Sequence, residues 1–294
     1  MSTPPRLGIA FTPVLEPERL RAVAQAAEVS GLDDLWVWED CFAESGIAPA
    51  AAALAWTEHL HVGIGLLPVP LRNVAVAAME IATLDRMFPS RLSAGIGHGV
   101  QVWMEQVGGR VESPMTLLRE YAQALRSLLD GAEVSTTGRY VSLDHVQLRW
   151  PPAEPPALAL GGAGPRSLAL AGELGDTTLL GNALNVAEVG AACRLTREAS
   201  SGGPAHGVVA TVIAATGPHS QERLDREVVL WGAAVGTGVG VAGPPEAIAE
   251  AVLRHAEAGA STVVIQATSD EPDLEGFIAT LGGRVRPLLH AGAT

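Results

Sequence analysis

Two titratable side chains stand where short apolar runs break off. Asp40 closes the run DLWVWED together with Glu39, and His98 lies between Gly97 and Gly99 in RLSAGIGHG. A carboxylate at the end of a buried strand can serve as acid or base, because partial burial raises its pKa toward neutrality. It can equally cap a helix or sit solvated in a loop. His98 has the same two readings, proton carrier or hydrogen-bonded structural histidine. Gly97 and Gly99 form either a plain turn or a bare stretch of backbone that a flat ligand can approach. A third stretch, GGAGPR, covers Gly161, Gly162, Ala163, Gly164, Pro165 and Arg166. Its small residues and helix start would offer N–H groups, and Arg166 a guanidinium, to a phosphate.

Other chemistries find little support. The strand ends hold no histidine pair at metal-ligand spacing, so no metal is expected. There is no Gly-x-Ser-x-Gly elbow, and GGAGPR lacks the lysine and spacing of a nucleotide-triphosphate loop. The net charge is −13 and every basic side chain apart from histidine is arginine. An acidic chain without basic clusters is not expected to bind nucleic acid or an anionic membrane. Cys41 and Cys193 are too few and too far apart for a disulfide framework or a metal site, and packing is their expected role. No stretch approaches the roughly 20 apolar residues of a membrane span, and the N-terminus lacks a secretion signal. A cytoplasmic location is therefore expected.

The elements that must position these residues are legible as apolar runs of strand length. Eight occur: LGIAF, DLWVW, HVGIGLLP, RLSAGIG, ALALGG, TTLLGN, GVVATVIAA and TVVIQA. Continuous rather than alternating hydrophobicity suits strands covered on both faces. Helical patterns separate them, such as PERLRAVAQAAEVSG and PMTLLREYAQALRSLLDG, with Gly31, Gly131 and Gly259 closing three of the helices. Eight strand–helix repeats predict a (β/α)8 TIM barrel, residues 1–294 forming a single domain. EVSTTGRYVSLDHVQLRWPPAEPP predicts a small hairpin inserted before the fifth strand, turning near Thr137 and Gly138. In such a barrel the active site lies at the C-terminal strand ends. Phe11, Glu39, Asp40, Leu66, Gly97, Gly161 and Asn182 are expected there, with Phe11, Leu66 and Trp103 making an apolar mouth. Trp36, Trp38 and Trp56 read as core.

The order of LGIAF, GLDDLWVWED, LLPVPLRN, LDRMFPSRLSAGIGHG, PPALALGGAGPRSLALAGELGDTTLLG and VAGPPEAIAEAVLRHAEAGASTVVI resembles the luciferase-like monooxygenase superfamily over nearly the whole chain. The resemblance points to its deazaflavin branch, which uses coenzyme F420. It implies a cofactor ring across the barrel mouth, supported by Gly65 and Leu66 near a bulge in the third strand. Gly97 and Gly99 would let the ring approach, residues 161–166 would bind the phosphate of its tail, and Asp40 would lie beside it. Phe11, Glu39 and Asn182 complete the expected cofactor-binding set, with Asp40 and His98 as candidate catalytic residues. The branch's sugar-phosphate dehydrogenases carry a glutamate after the glycine-rich strand end and lysines for phosphate. Here Val100 follows, and the chain has no lysine.

The expected function is hydride transfer between coenzyme F420 and a small organic substrate. One alternative is a two-component monooxygenase using reduced FMN and oxygen; another is a non-catalytic flavin-binding barrel. The resemblance also implies a homodimer, since members of the superfamily pair through outer helices, and Ala-rich helices such as PAAAALAWTEH can pack closely against a partner.

Overall fold

The eight apolar runs become eight parallel strands of one closed barrel. The structure, a computed structural model, describes residues 4–291. The barrel strands are β1 (Arg6–Phe11), β2 (Asp34–Val37), β3 (His61–Pro68), β4 (Leu92–Gly97), β7 (Ala157–Gly162), β8 (Thr177–Leu180), β9 (Gly207–Ala215) and β11 (Thr262–Ala267). Each pairs in parallel with the next, and β11 returns to β1 to close the ring. The predicted hairpin is present as β5 (Val134–Thr137) and β6 (Ser142–Val146), antiparallel and ahead of the fifth barrel strand. The two-residue strand β10 (Val241–Ala242) pairs with the end of β9.

The surrounding helices are α1 (Leu20–Val29), α2 (Ile47–Trp56), α3 (Val74–Met87), α4 (Gln101–Gln106), α5 (Pro114–Leu129), α6 (Pro165–Leu174), α7 (Val186–Ala199), α8 (Ser220–Leu230), α9 (Pro245–Glu257), α10 (Leu274–Thr280) and α11 (Arg286–Ala291). In α1 the buried residues Leu20, Val23, Ala24 and Ala27 recur at helical spacing, so one stripe faces the barrel. Gly31 then takes a φ of 72°, a left-handed conformation that ends the helix at low steric cost. Asn73 caps α3 by accepting from the Ala75 N–H at 2.9 Å. Among the described residues no helix is long and apolar enough to cross a membrane.

Strand parity divides the core in two. The larger apolar layer lies between strands and helices and includes Leu7, Ile9 and Phe11. A smaller cluster joins Ala10, Trp36, Trp38, Ala159, Leu179, Val209 and Val264, with Leu66 packed against it. Successive strand residues face opposite ways, so Ala10 looks into the barrel and Phe11 looks out. Phe11 is fully buried in the outer layer and takes no part in the mouth, contrary to the sequence expectation. The tryptophans also divide. Trp36 and Trp38 are buried, whereas Trp56 is partly exposed with the Arg21 guanidinium 5.7 Å from its ring centroid.

At the N-terminal end of the barrel Asp34 is 2% exposed and receives Arg6 in a fork, Nε to Oδ2 and Nη2 to Oδ1, both at 2.9 Å. His61 Nδ1 lies 2.9 Å from Oδ1. Burial alone would raise the Asp34 pKa, but His61 and Arg6 outweigh it and hold the carboxyl below its ordinary value. Asp34→Ala is expected to destabilise the fold by about 3 kcal/mol, the low end for breaking a buried pair, since Arg6 stays half in solvent. A group with a depressed folded pKa contributes stability above its unfolded pKa and loses it as pH falls. The gap between wild type and variant, read by chemical denaturation, should thus be full at neutral pH and shrink below pH 3.8.

Candidate active site

The C-terminal strand ends enclose a cavity of about 360 Å³, within the range of small-molecule sites. Trp36, Leu179, Val209 and Val264 come from the apolar cluster inside the barrel. Leu66 and Pro68 come from β3, Gly97 to Val100 and Trp103 from the β4 exit, and Gly161 to Ala163 from the β7 exit. Asn182 follows β8, Trp38 to Asp40 follow β2, and Trp231 follows α8. The structure therefore brings together Glu39, Asp40, Gly65, Leu66, Gly97, His98, Gly99, Gly161, Gly162, Ala163 and Asn182.

The glycines are explained first by packing inside the protein. The register between β3 and β4 shifts between Ile64 and Leu67, and the Gly65–Leu66 peptide bond is cis. The Leu66 side chain packs against β4 and, beyond it, β7. A Cβ on Gly97 would lie 2.7 Å from Leu66 Cδ2, and one on Gly161 2.3 Å from the same atom. Both glycines are bare because Leu66 occupies their space. Gly99 has a φ of 68°, which favours glycine, and lies against Pro68 and Met104.

The three carboxylates after β2 meet different fates. Glu39 is buried; its oxygens accept from Arg72 Nη1 at 2.6 Å and Nη2 at 3.0 Å, and from the Gly46 N–H at 2.7 Å. That carboxylate is engaged in holding the loop. Asp40 is half-buried on the cavity wall, and burial pushes its carboxyl above the usual range. Glu44 pairs backbone to backbone with Asp40, and neither of its buried carboxyl oxygens meets a hydrogen-bond partner among the described residues. Burial, reinforced by the nearby Asp40 charge, pushes Glu44 up to about 7. His98 Nδ1–H donates to the Gly99 carbonyl at 2.8 Å, which leaves Nε2 of the neutral ring as an acceptor.

His98 also lines a second space, a groove of about 560 Å³ bounded by Gln101, Pro114, Met115 and residues 164–167. Gly164, Pro165 and Arg166 therefore sit in the groove rather than in the inner cavity. Ala163 N and Gly164 N donate to Ser167 Oγ at 3.0 and 3.1 Å, so two of the amides expected to meet a phosphate are already satisfied. Arg166 is exposed and forms no ion pair among the described residues. Sequence reasoning missed Glu44, Trp231 and the inward-facing Trp36 and Trp38. An aromatic residue just before the glycine-rich run GAAVGTGVG was the one available sign of Trp231.

Residues 2–235 match the family described as luciferase-like monooxygenase. The chain is 30% identical over 176 residues to the 5,10-methylenetetrahydromethanopterin reductase of Archaeoglobus fulgidus, covering 60% of this chain and 52% of that one. It is 28% identical over 197 residues to the F420-dependent glucose-6-phosphate dehydrogenase of Nakamurella multipartita, covering 59% and 56%. The chain thus spans about half the length of the curated relatives it matches. The solved coenzyme F420 dependent tetrahydromethanopterin reductase from Methanopyrus kandleri superposes with a TM-score of 0.84 at 20% identity, covering 97% of this chain and 99% of that one. That likeness shows a shared fold.

The raised Glu44 pKa carries a stability signature. Between its ordinary value of 4.5 and about 7, the folded protein keeps this proton while the unfolded chain releases it. Stability from this group therefore falls as pH rises through that window. Glu44→Gln removes the effect, so relative to wild type the variant should gain stability from pH 4.5 to about 7 and level off above. Denaturation midpoints across that range check it; a difference that does not vary with pH would mean Glu44 ionises in the folded protein as it does in the unfolded one.

Proposed function

The chain belongs to the luciferase-like monooxygenase family, and on that premise we propose that it is an oxidoreductase moving a hydride between coenzyme F420 and a small organic substrate. The observation that carries this reading is the continuity at His98 between a mostly apolar cavity at the barrel mouth with one open carboxyl and an outer groove holding an arginine that forms no ion pair among the described residues. A flat ring suits the cavity beside Leu66, and a phosphate-bearing tail suits the groove at Arg166. The F420-dependent dehydrogenase among the relatives supports the choice of cofactor. FMN, which also carries a phosphate, is the second reading, favoured by the family's monooxygenase character.

The residues fit such a group. Gly181 and Gly164 have nothing within 4 Å of an added Cβ, so the backbone beside each compartment is open to a ligand. When bound, the deazaflavin supplies a carbon that takes up or gives a hydride. The chain's own part is to exclude water, orient the partners and handle the proton. Trp38, Trp103, Trp231 and Leu66 provide the apolar enclosure. Asp40, whose carboxyl burial pushes above its ordinary range, stands at the cavity wall and can give a proton to a substrate oxygen or nitrogen. His98 Nε2 is the alternative proton acceptor.

We also read the molecule as a homodimer. Val76, Met79, Thr83 and Met87 form an exposed stripe along α3, and the neighbouring α2 is rich in alanine. Two such faces can pack closely against their copies. A dimeric mass by light scattering is expected; a monomer at micromolar concentration would end this reading.

The functional proposal is tested by titrating the protein with F420 and with FMN, followed by fluorescence. F420 should bind at least about tenfold more tightly, and equal or reversed affinities would favour the FMN reading. Asp40→Asn should leave F420 affinity nearly unchanged and slow turnover by about a hundred- to ten-thousand-fold, the range for a lost acid or base. If turnover survives in Asp40→Asn and disappears in His98→Ala, the proton role belongs to His98.

A further inference from the structure

One wall of the cavity is held by a carboxylate for which the proposed reaction has no use. Glu227, on α8, is 6% exposed. Trp231 Nε1 donates to its Oε1 at 3.0 Å, and Gln266 Nε2 to the same oxygen at 3.2 Å. Ser269 donates to Oε2 from its backbone N at 2.9 Å and its Oγ at 2.7 Å. Four donors saturate what a carboxylate can accept. Gln266 Oε1 in turn accepts from Asn182 Nδ2 at 3.4 Å. Trp231 and Asn182 both line the cavity, so one buried charge orients an indole and an amide there.

The indole is also fixed from its other side. Trp231 stands edge-on to Trp38, with ring centroids 5.6 Å apart and planes at 86°. Turning the Trp231 ring would break both the edge-to-face contact and a charge-assisted hydrogen bond. The two rings therefore form a rigid aromatic corner rather than a pair of mobile side chains.

The charges around this corner point to what it accepts. No arginine lines the cavity, and the chain has no lysine. Arg72, the nearest cation to the β2 exit, is taken up by Glu39 and Glu80. An anion entering would lose its hydration with no arginine to meet it, His98 being a titratable base on the wall. A cation would meet one carboxyl free of an arginine, Asp40, in a wall otherwise built mostly of tryptophan, leucine, valine and glycine, and would lose most of its hydration there. At the rim, Val100 lines the mouth and Phe42 follows Asp40 by two residues, and both are exposed.

We propose that the cavity selects an uncharged, flat organic substrate seated against the Trp38–Trp231 corner, and that Glu227 is the positioning residue that sets this corner. That the seated molecule is a substrate rests on the oxidoreductase reading above; the corner itself does not.

The test uses protein labelled with fluorotryptophan, its six resonances assigned by single Trp→Phe replacements, with and without F420. The probes are acetophenone, neutral and flat, and its charged counterparts benzoate and benzylammonium. Acetophenone should move the Trp38 and Trp231 resonances, leave those of Trp56 and Trp150 in place, and bind at least about tenfold more tightly than either ion. Glu227→Gln places an amide N–H₂ among donors and should shift the Trp231 and Trp38 resonances before any ligand is added. It should weaken acetophenone about tenfold while keeping F420 affinity within about twofold. Should Glu227→Gln fail to fold, Trp231→Phe, at a partly exposed residue, removes only the indole donor and should show the same loss.

Equal or tighter binding of benzoate or benzylammonium would overturn the substrate class. Unchanged acetophenone affinity in the Glu227 and Trp231 variants would overturn the positioning role. Acetophenone binding at the corner in protein that takes up no F420 would sink the functional reading and leave this inference standing.

Discussion

The ring of Trp36 fills the inside of the barrel, and the surrounding strands are built to admit it. A Cβ on Gly63 would lie 2.4 Å from Trp36 Cδ2, and one on Gly65 3.1 Å from Trp36 Cε3. Gly95 is closed off by the Ile64 carbonyl and Leu179. One large side chain among glycines satisfies close packing where most barrels layer branched residues from several strands. The break in register after Ile64 then sets Leu66 against the cavity, and Gly97 and Gly161 are bare to receive it. The glycine-rich strand ends are thus consequences of one interior packing solution.

Three acids within six residues show how little sequence proximity says about chemistry. Glu39 is neutralised by Arg72 and by a backbone amide, which ties the loop after β2 to the residues leading into α3. Among the described residues Asp40 is left on the cavity wall without such a partner, and Glu44, bridged to it through the backbone, buries both carboxyl oxygens without one. Their different environments separate a structural anion from two groups held toward neutrality.

The barrel strands were legible because apolar runs covered on both faces leave few other folds. HVGIGLLP, ALALGG, GVVATVIAA and TVVIQA coincide with β3, β7, β9 and β11. The clustering of Asp40, His98 and Asn182 followed from the fold alone, since residues just past the strands meet at one end. Phe11 was misplaced because a continuous apolar run conceals which residues face inward. The roles of Gly97 and Gly161 were hidden because their partner, Leu66, reaches them only through an irregularity in β3. Trp231 and Glu227 were hard to place: Glu227 lies on the buried stripe of α8 with Arg223, Leu224 and Val228, but the contacts of the pair with Trp38 and Gln266 join distant parts of the chain.

The Ser167 hydroxyl satisfies the Ala163 and Gly164 amides from within the loop. That leaves the Arg166 guanidinium as the loop's open charge on the outer groove. A loop that cradles an anion through a nest does so with free backbone amides. Here Arg166 is exposed, so replacing it would change the charge of the groove while the Ser167 hydroxyl keeps the loop's shape. The inner cavity is tied to the interior packing through Trp36 and Leu66, whereas the charge of the outer groove sits on an exposed side chain that this packing does not constrain.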